Sequence, residues 1–405
     1  MNGSIHPIAS LRPAPPPLRC LQLTKFYPPV DGGIETAVRD IAEGLTARRW
    51  QVEVLCANLV ARTLSEPGAI PVTRVASWGQ VASTSMTPSL LPWLRKRQAG
   101  QQVVHVHLPN PMANLALWWT RPDARLVVHW HSDIVKQQRL LRLYAPLQEW
   151  LLRRADAIIA TSPPYAASSS WLQPHRHKVH VVPLCVRDAC PADGMKRQAP
   201  AADALRARHA GKRIVFALGR MTYYKGFDVL IDAASRLDDS TVVLIGGGGE
   251  LLAPLRARVA AAGLGHRVHL LGRIADADLA AYYEAADVFC LPSLIRSEAF
   301  GLVMLEAMSF GRPVVATHIE GSGVPWVNQD GETGLNAQPG NAASLAGALS
   351  RLLDDPALAR RLGAGARRRY ETHFTPQKMI DALLEVYASL GLHAPPKAEA
   401  EARLA

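Results

Sequence analysis

Apolar residues along this chain fall into short continuous runs, set between stretches where they recur at helical spacing. Residues 19–24 read as a first strand, followed by a Pro- and Gly-rich loop to Gly33. Ile34, Ala37, Val38, Ile41, Ala42 and Leu45 then recur at i, i+3, i+4 and i+7, which predicts a helix over 34–49. Runs at 52–56, 103–107, 126–130, 157–160 and 179–182 predict further strands, with room for helices between several of them. Such alternation argues for a parallel sheet joined by helical crossovers. Periodicity fades between 185 and 212, where Asp188, Pro191, Asp193, Gly194, Pro200 and Gly211 mark a linker. The rhythm then restarts with apolar runs at 214–218, 241–245, 268–271, 288–291 and 314–317. Continuously apolar strands suit a sheet covered on both faces. Helices are predicted to begin near Phe227, Glu250, Ala277 and Phe300, and 374–390 reads as a last amphipathic helix. The fold class is therefore α/β, and 405 residues call for two domains.

The cysteines, Cys20, Cys56, Cys185, Cys190 and Cys290, form no C-x-x-C pair, which favours a reducing compartment over a disulfide or zinc scaffold. Residues 1–17 are proline-rich and lack the apolar core of a signal peptide. No apolar run reaches the ~18 residues of a membrane span. These features predict a cytoplasmic protein. The net charge of +11 is lopsided: residues 1–184 hold 20 Lys/Arg against 10 Asp/Glu, and the remainder 25 against 24. A basic half implies an anionic partner, either nucleic acid or phospholipid. Arg95, Lys96, Arg97, Arg139 and Arg142 stand beside Trp93, Leu94, Leu140, Leu141 and Tyr144. That mixture favours a membrane surface over nucleic acid, with a solvated helix face as the plain alternative.

Candidate chemistry gathers where strands end. Arg220, directly after a strand, and Lys225, just before a helix, bring two cations to a strand's carboxyl end, where open parallel sheets bind ligands. Cations beside a helix N-terminus suit a diphosphate. Glu298 and Glu306 stand eight residues apart across an apolar stretch. Eight helical residues turn about 80° beyond two full turns, so Glu306 shares a broad side with the N-terminus of a helix beginning at Phe300. Met304, Leu305, Ala307 and Met308 crowd Glu306, so a partner is expected for it. Cations for phosphate and carboxylates for hydroxyls together fit a sugar nucleotide. The glycine run 246–249 reads as a tight turn lining the cleft. Gly32 and Gly33 either hold backbone N–H groups near a phosphate or form a plain loop. His131, Ser132 and Asp133 follow a strand, a position open to catalytic and structural roles alike.

In that order, the Gly-Gly loop, the histidine after a strand, the Gly-Arg…Lys-Gly pair and the Glu-x7-Glu motif resemble the retaining glycosyltransferase family 4. The resemblance covers roughly residues 18–390. It implies a GT-B fold, with two Rossmann-like domains facing each other across a cleft: 18–184 for the acceptor and 213–374 for the nucleotide sugar. A linker at 185–212, a helix at 375–392, and a tail at 393–405 complete the expected organisation. Arg220 and Lys225 are then expected to bind the donor diphosphate, with Gly33 approaching it. Glu298 is expected to contact the transferred sugar, with the N–H groups of Phe300, Gly301 and Leu302 nearby. Glu306 is expected to hold the ribose, and His131 to sit beside the reacting carbon, with Asp133 a candidate in the same loop. Such enzymes usually need no metal and no cofactor beyond the donor substrate. Residues 294–313 and 320–328 are also similar to bacterial mannosyl- and rhamnosyltransferases that use GDP-sugars and lipid-linked acceptors in O-antigen or exopolysaccharide assembly. A UDP-sugar donor, a sugar-nucleotide epimerase and a non-catalytic glycan-binding protein are the competing expectations. A nucleotide-dependent oxidoreductase is disfavoured, because the first loop lacks its glycine fingerprint.

Overall fold

The computed structural model describes residues 16–81, 84–134, 138–188 and 199–393. Two parallel sheets organise it. The first runs, in spatial order, Val179–Val181, Ala157–Ala160, Arg125–Trp130, Val103–Leu108, Arg19–Leu23, Gln51–Ala57, Val72–Val75 and Leu64–Glu66. Only the outermost pair, Leu64–Glu66 with Val72–Val75, is antiparallel. The second runs Val268–Gly272, Thr241–Gly246, Arg213–Leu218, Val288–Leu291, Val314–Thr317 and Gly334–Ala337, parallel throughout. Both sheets are buried on two faces, which accounts for their continuously apolar strands.

Each sheet reverses its order of growth at one place. In the first this lies between neighbours Arg19–Leu23 and Val103–Leu108, and in the second between Arg213–Leu218 and Val288–Leu291. Loops leaving adjacent strands diverge there, and a crevice opens at their carboxyl ends. The loops concerned carry Lys25 to Gly33 on one side and Arg220, Lys225 and Glu298 on the other.

Several elements differ from the sequence reading. The first helix is Gly33–Ala47. The helix expected from Phe300 begins at Leu302, because Gly301 takes φ 83° and ends the preceding loop. The span expected to be a linker contains a helix, Ala199–Arg208, packed against the helix Asp276–Ala285 through Ala202 and Leu205. Two buried side chains make no stripe that a periodicity argument could detect. The strand Gly334–Ala337 lacks β-branched residues. It is held from outside by the buried Asn328, whose Nδ2 donates to the carbonyls of Val314 and Leu335 at 3.3 and 3.2 Å. The C-terminal helix, Pro376–Ser389, returns to the first domain, where Ile380, Leu383 and Tyr387 join a core with Val38, Ile41 and Cys20. Gly44 permits this approach, since a Cβ there would lie 2.3 Å from the Ile380 side chain. Cys190, Pro191, Asp193, Gly194, residues 1–15 and residues 394–405 lie outside the described residues.

Candidate active site

Arg220, Lys225 and Glu298, expected on the donor side, lie at the crevice of the second sheet. Lys225 and Glu298, each 8% exposed, pair directly: Nζ donates to Glu298 Oε2 at 2.5 Å, and Ser293 Oγ donates to the same oxygen at 3.0 Å. Burial pushes the Lys225 ammonium down, but the adjacent carboxylate outweighs it and the net shift is upward. Thus two residues expected to meet different parts of a ligand also satisfy each other. Such a pair keeps both charges ordered inside the protein.

Three glycines shape this loop. Gly226 has φ 67°, and a Cβ there would strike the Pro292 carbonyl at 2.0 Å. Gly247 and Gly249 lie against the backbone of Gly219 and Met221, where a Cβ would come within 1.9 and 2.5 Å of their carbonyl oxygens. The glycine run therefore seats the Arg220 loop. Arg220 itself is exposed.

Glu306 is half-buried on the helix Leu302–Ser309 and accepts from the Tyr283 hydroxyl at 2.5 Å. Burial raises its carboxyl above the usual range, and the Tyr283 hydrogen bond opposes that rise. The Phe300 ring is core, packed near Trp326 and Phe374. What that stretch can offer a ligand is the helix's first N–H groups, which have no intrahelical acceptor. Gly33 faces this point from the other domain: a Cβ on it would lie 3.1 Å from Leu302 Cδ1.

His131 belongs to a buried stack. The rings of His105, His107, His129 and His131 lie nearly parallel, with neighbouring centroids 4.2 to 5.4 Å apart. Burial pushes His105 and His131 down to about 3, and His107 and His129 well below their ordinary value, so all four are neutral near pH 7. Gln22 Oε1 lies 2.8 Å from His107 Nε2, and His107 Nδ1 lies 3.0 Å from His131 Nε2. With Gln22 as acceptor, His107 is protonated on Nε2 and takes a hydrogen bond from His131 Nε2–H. His131 is left with a bare Nδ1 that has no partner among the described residues. His105, His107 and His129 have ring nitrogens within 4.8 Å of one another. Their planes stack within 24° of parallel, so the lone pairs run side by side and do not converge on one ion. Asp133 does not open toward a ligand. Its Oδ1 accepts from Trp130 Nε1 and Ser169 Oγ, and its Oδ2 meets Arg296.

A cavity of about 830 Å³ adjoins these residues on the first domain. Lys25, Glu35, His107 and Arg220 are among its polar lining, and Met112, Leu115, Leu143 and Leu147 among its apolar lining. His131, Lys225, Glu298 and Glu306 are not in its lining. Burial lowers Lys25, with Glu35 opposing and Arg220 adding to the shift; burial raises Glu35.

The family described as glycosyl transferases group 1 matches residues 203–369, and a glycosyl transferase 4-like domain matches 32–185. The chain is 34% identical over 381 residues to the O-antigen chain mannosyltransferase C of Escherichia coli, covering 92% of this chain and 99% of that one. It is 34% identical over 367 residues to the D-rhamnosyltransferase WbpZ of Pseudomonas aeruginosa, covering 88% and 92%. The chain belongs to the group 1 glycosyltransferases. Among solved structures, sucrose-phosphate synthase from Thermosynechococcus elongatus superposes with a TM-score of 0.76 at 24% identity, over 92% of this chain and 99% of that one. Anabaena HepE in complex with UDP superposes with a TM-score of 0.73 at 21% identity, over 92% and 100%. The glycosyltransferase thus has the expected GT-B fold of two facing α/β domains.

Sequence reasoning passed over Lys25, Glu35 and His107 of this glycosyltransferase. His107 carried a signal, since His105 and His107 alternate on a strand that ends at the crevice. Lys25 and Glu35 carried none, because only the fold brings the first loop and first helix to Arg220.

Proposed function

We propose that this glycosyltransferase retains anomeric configuration and moves a mannosyl or rhamnosyl residue from a GDP-sugar to a lipid-linked saccharide in O-antigen or exopolysaccharide assembly. The observation that carries the reading is the buried Lys225–Glu298 pair beside Arg220 at the crevice of the second sheet. Arg220, Lys225 and the N–H groups of Phe300, Gly301 and Leu302 would meet the diphosphate as negative charge develops on it. Glu298 would accept from sugar hydroxyls and Glu306 from the ribose, leaving the sugar between the donor loop and the strand end that carries His131. No cofactor beyond the donor enters this scheme. The sugar and pathway follow the names of the two relatives above.

The lipid-linked acceptor and a peripheral place on the inner membrane are supported by the first domain. Among the described residues no helix is long and apolar enough to cross a membrane. The helix Leu90–Arg97 does not offer the expected interfacial face: Leu90 and Leu94 are buried, and Lys96 and Arg97 lie over the Trp93 ring. Tyr144 lines the cavity, and the side chains of Arg139, Leu140 and Leu141 lie outside the described residues. Exposed apolar surface stands elsewhere on the same basic domain, at Leu59, Val60, Trp78, Val81, Trp119 and Leu143. Leu59, Val81 and Leu143 also line the cavity. An apolar rim on a basic domain suits a bilayer that presents an acceptor with a hydrocarbon tail.

The test is a donor panel with a synthetic lipid-linked saccharide, reading nucleoside diphosphate release and the anomer formed. The reading expects release from GDP-mannose or GDP-rhamnose and a product of retained configuration. An inverted product would overturn the mechanism, and use of UDP-sugars alone would overturn the donor. Isomerised donor with no diphosphate released would indicate an epimerase.

A further inference from the structure

The loop that carries Glu298 also carries Arg296, and this side chain crosses to the other domain. Its Nη2 lies 3.3 Å from Asp133 Oδ2 and donates to Ser168 Oγ at 3.0 Å. Its Nε donates to the Gly321 carbonyl at 3.3 Å, and the guanidinium sits 4.9 Å from the Tyr165 ring centroid. The receiving surface is built by the first domain alone. Trp130 Nε1 and Ser169 Oγ hold Asp133 Oδ1 at 2.9 and 2.8 Å, and the Asp133 N–H donates to the Tyr165 hydroxyl at 2.7 Å. Oδ2 is thereby turned toward Arg296. Ser168 Oγ also donates to the Gly321 carbonyl at 2.8 Å, a second tie between the domains at the same place.

Another ion pair across the domains, Arg273 with Asp31, has side chains 75% and 65% exposed, and a pair so exposed contributes little. Arg296 and Asp133 are 32% and 15% exposed. One guanidinium there takes two oxygens of the first domain, a carbonyl of its own domain and an aromatic face, against a carboxylate already fixed. Little freedom remains to be lost when the contact forms. Asp133 lies two residues from His131, and Arg296 two residues from Glu298.

We propose that Arg296 and Asp133 are positioning residues whose contact sets the His131 loop against the Glu298 loop, fixing the gap across which the sugar passes. Neither touches substrate. Their effect is on turnover, because a reacting pair displaced by about 1 Å loses up to 10²-fold in rate. The inference rests on the glycosyl-transfer reading.

The test compares wild type, Arg296→Ala, Arg296→Lys, Asp133→Asn and the Arg296→Ala/Asp133→Asn double variant. Each is assayed for turnover at saturating donor, for binding of free GDP and UDP, and by small-angle scattering. Arg296→Ala and Asp133→Asn are each expected to lose roughly 10- to 100-fold in turnover, and the double variant no more than the worse single one. Arg296→Lys, which keeps the charge but not the fork, is expected to fall between wild type and Arg296→Ala. Nucleoside diphosphate affinity is expected to stay at the wild-type value, and the radius of gyration of Arg296→Ala to rise. Wild-type turnover and scattering in Arg296→Ala would overturn the proposal. So would losses that multiply in the double variant, or nucleotide affinity that falls in step with turnover. If the wild type transfers no sugar, the reading of the function fails, while the scattering comparison still decides whether the contact holds the domains.

Discussion

The buried four-histidine stack should make the first domain acid-labile. Burial holds His105 and His131 down to about 3, and His107 and His129 well below the ordinary value of 6.5. A histidine depressed in the folded state contributes stability that is complete above pH 6.5 and is lost as pH falls from there toward the folded value. Between about pH 6 and 4 the unfolded chain binds up to four protons that the native stack refuses. Each proton difference changes stability by about 1.4 kcal/mol per pH unit, so the stack alone sets a limiting slope of about 5.5 kcal/mol per pH unit. Against a domain stability of 5–15 kcal/mol, that slope would unfold the domain within roughly one to three units below 6.5. His129 is the member to change, because neither of its ring nitrogens has a partner among the described residues. His129→Leu should remove one proton from the slope and relieve an unpaired buried polar group worth about 1–3 kcal/mol. Eight of the nine tryptophans precede residue 185, so urea unfolding followed by tryptophan fluorescence at a series of pH values reports this domain. A wild-type slope equal to that of His129→Leu would refute the reasoning, as would any of the four rings titrating near 6.5 in the native protein by NMR.

Lys225→Ala should lower turnover by on the order of 10²-fold, as for removal of an oxyanion donor; near wild-type turnover at saturating donor would sink that role. Lys225→Met should destabilise the second domain by about 3–5 kcal/mol by stranding Glu298, and Glu298→Gln added to it should restore most of the loss in urea titrations. Glu306→Gln should chiefly weaken calorimetric binding of free nucleoside diphosphate, whereas Glu298→Gln should lower rate and sugar selectivity; equal nucleotide affinity in both would refute the division. Because Glu306 is raised, its contribution to folding is present below pH 4.5 and lost as pH rises through the folded value, while nucleotide binding that uses the ionised carboxylate should strengthen over that rise. Vesicle co-sedimentation should show binding that grows with anionic lipid, falls with salt and weakens in a Trp78→Ser/Trp119→Ser variant, since each basic group near an anionic surface adds about 1 kcal/mol; binding indifferent to lipid charge and salt would exclude the electrostatic part.

Repeated apolar runs and helical stripes were enough to read two parallel α/β domains, because strands buried on both faces must be apolar along their whole length. Short or externally held elements were not readable. Val72–Val75 is brief and lies among turn residues, and Gly334–Ala337 depends on the Asn328 side chain. The helix Ala199–Arg208 buries too little to show a stripe. At the site, Arg220, Lys225, Glu298 and Glu306 were legible because polar residues stand out beside strand ends and inside apolar stretches.

By itself, then, the sequence determined the two-domain α/β architecture, the glycosyltransferase family and which strand ends carry charge, since those depend on local pattern. Only the tertiary structure decided the partners. Lys225 meets Glu298 across 73 residues, Tyr387 reaches back 282 residues to His105, and Arg296 of one domain seats on Asp133 of the other. Such pairings arise where separate loops leave neighbouring strands, or where one domain closes on another. No local period records them, because the residues that meet are set by sheet order and not by distance along the chain.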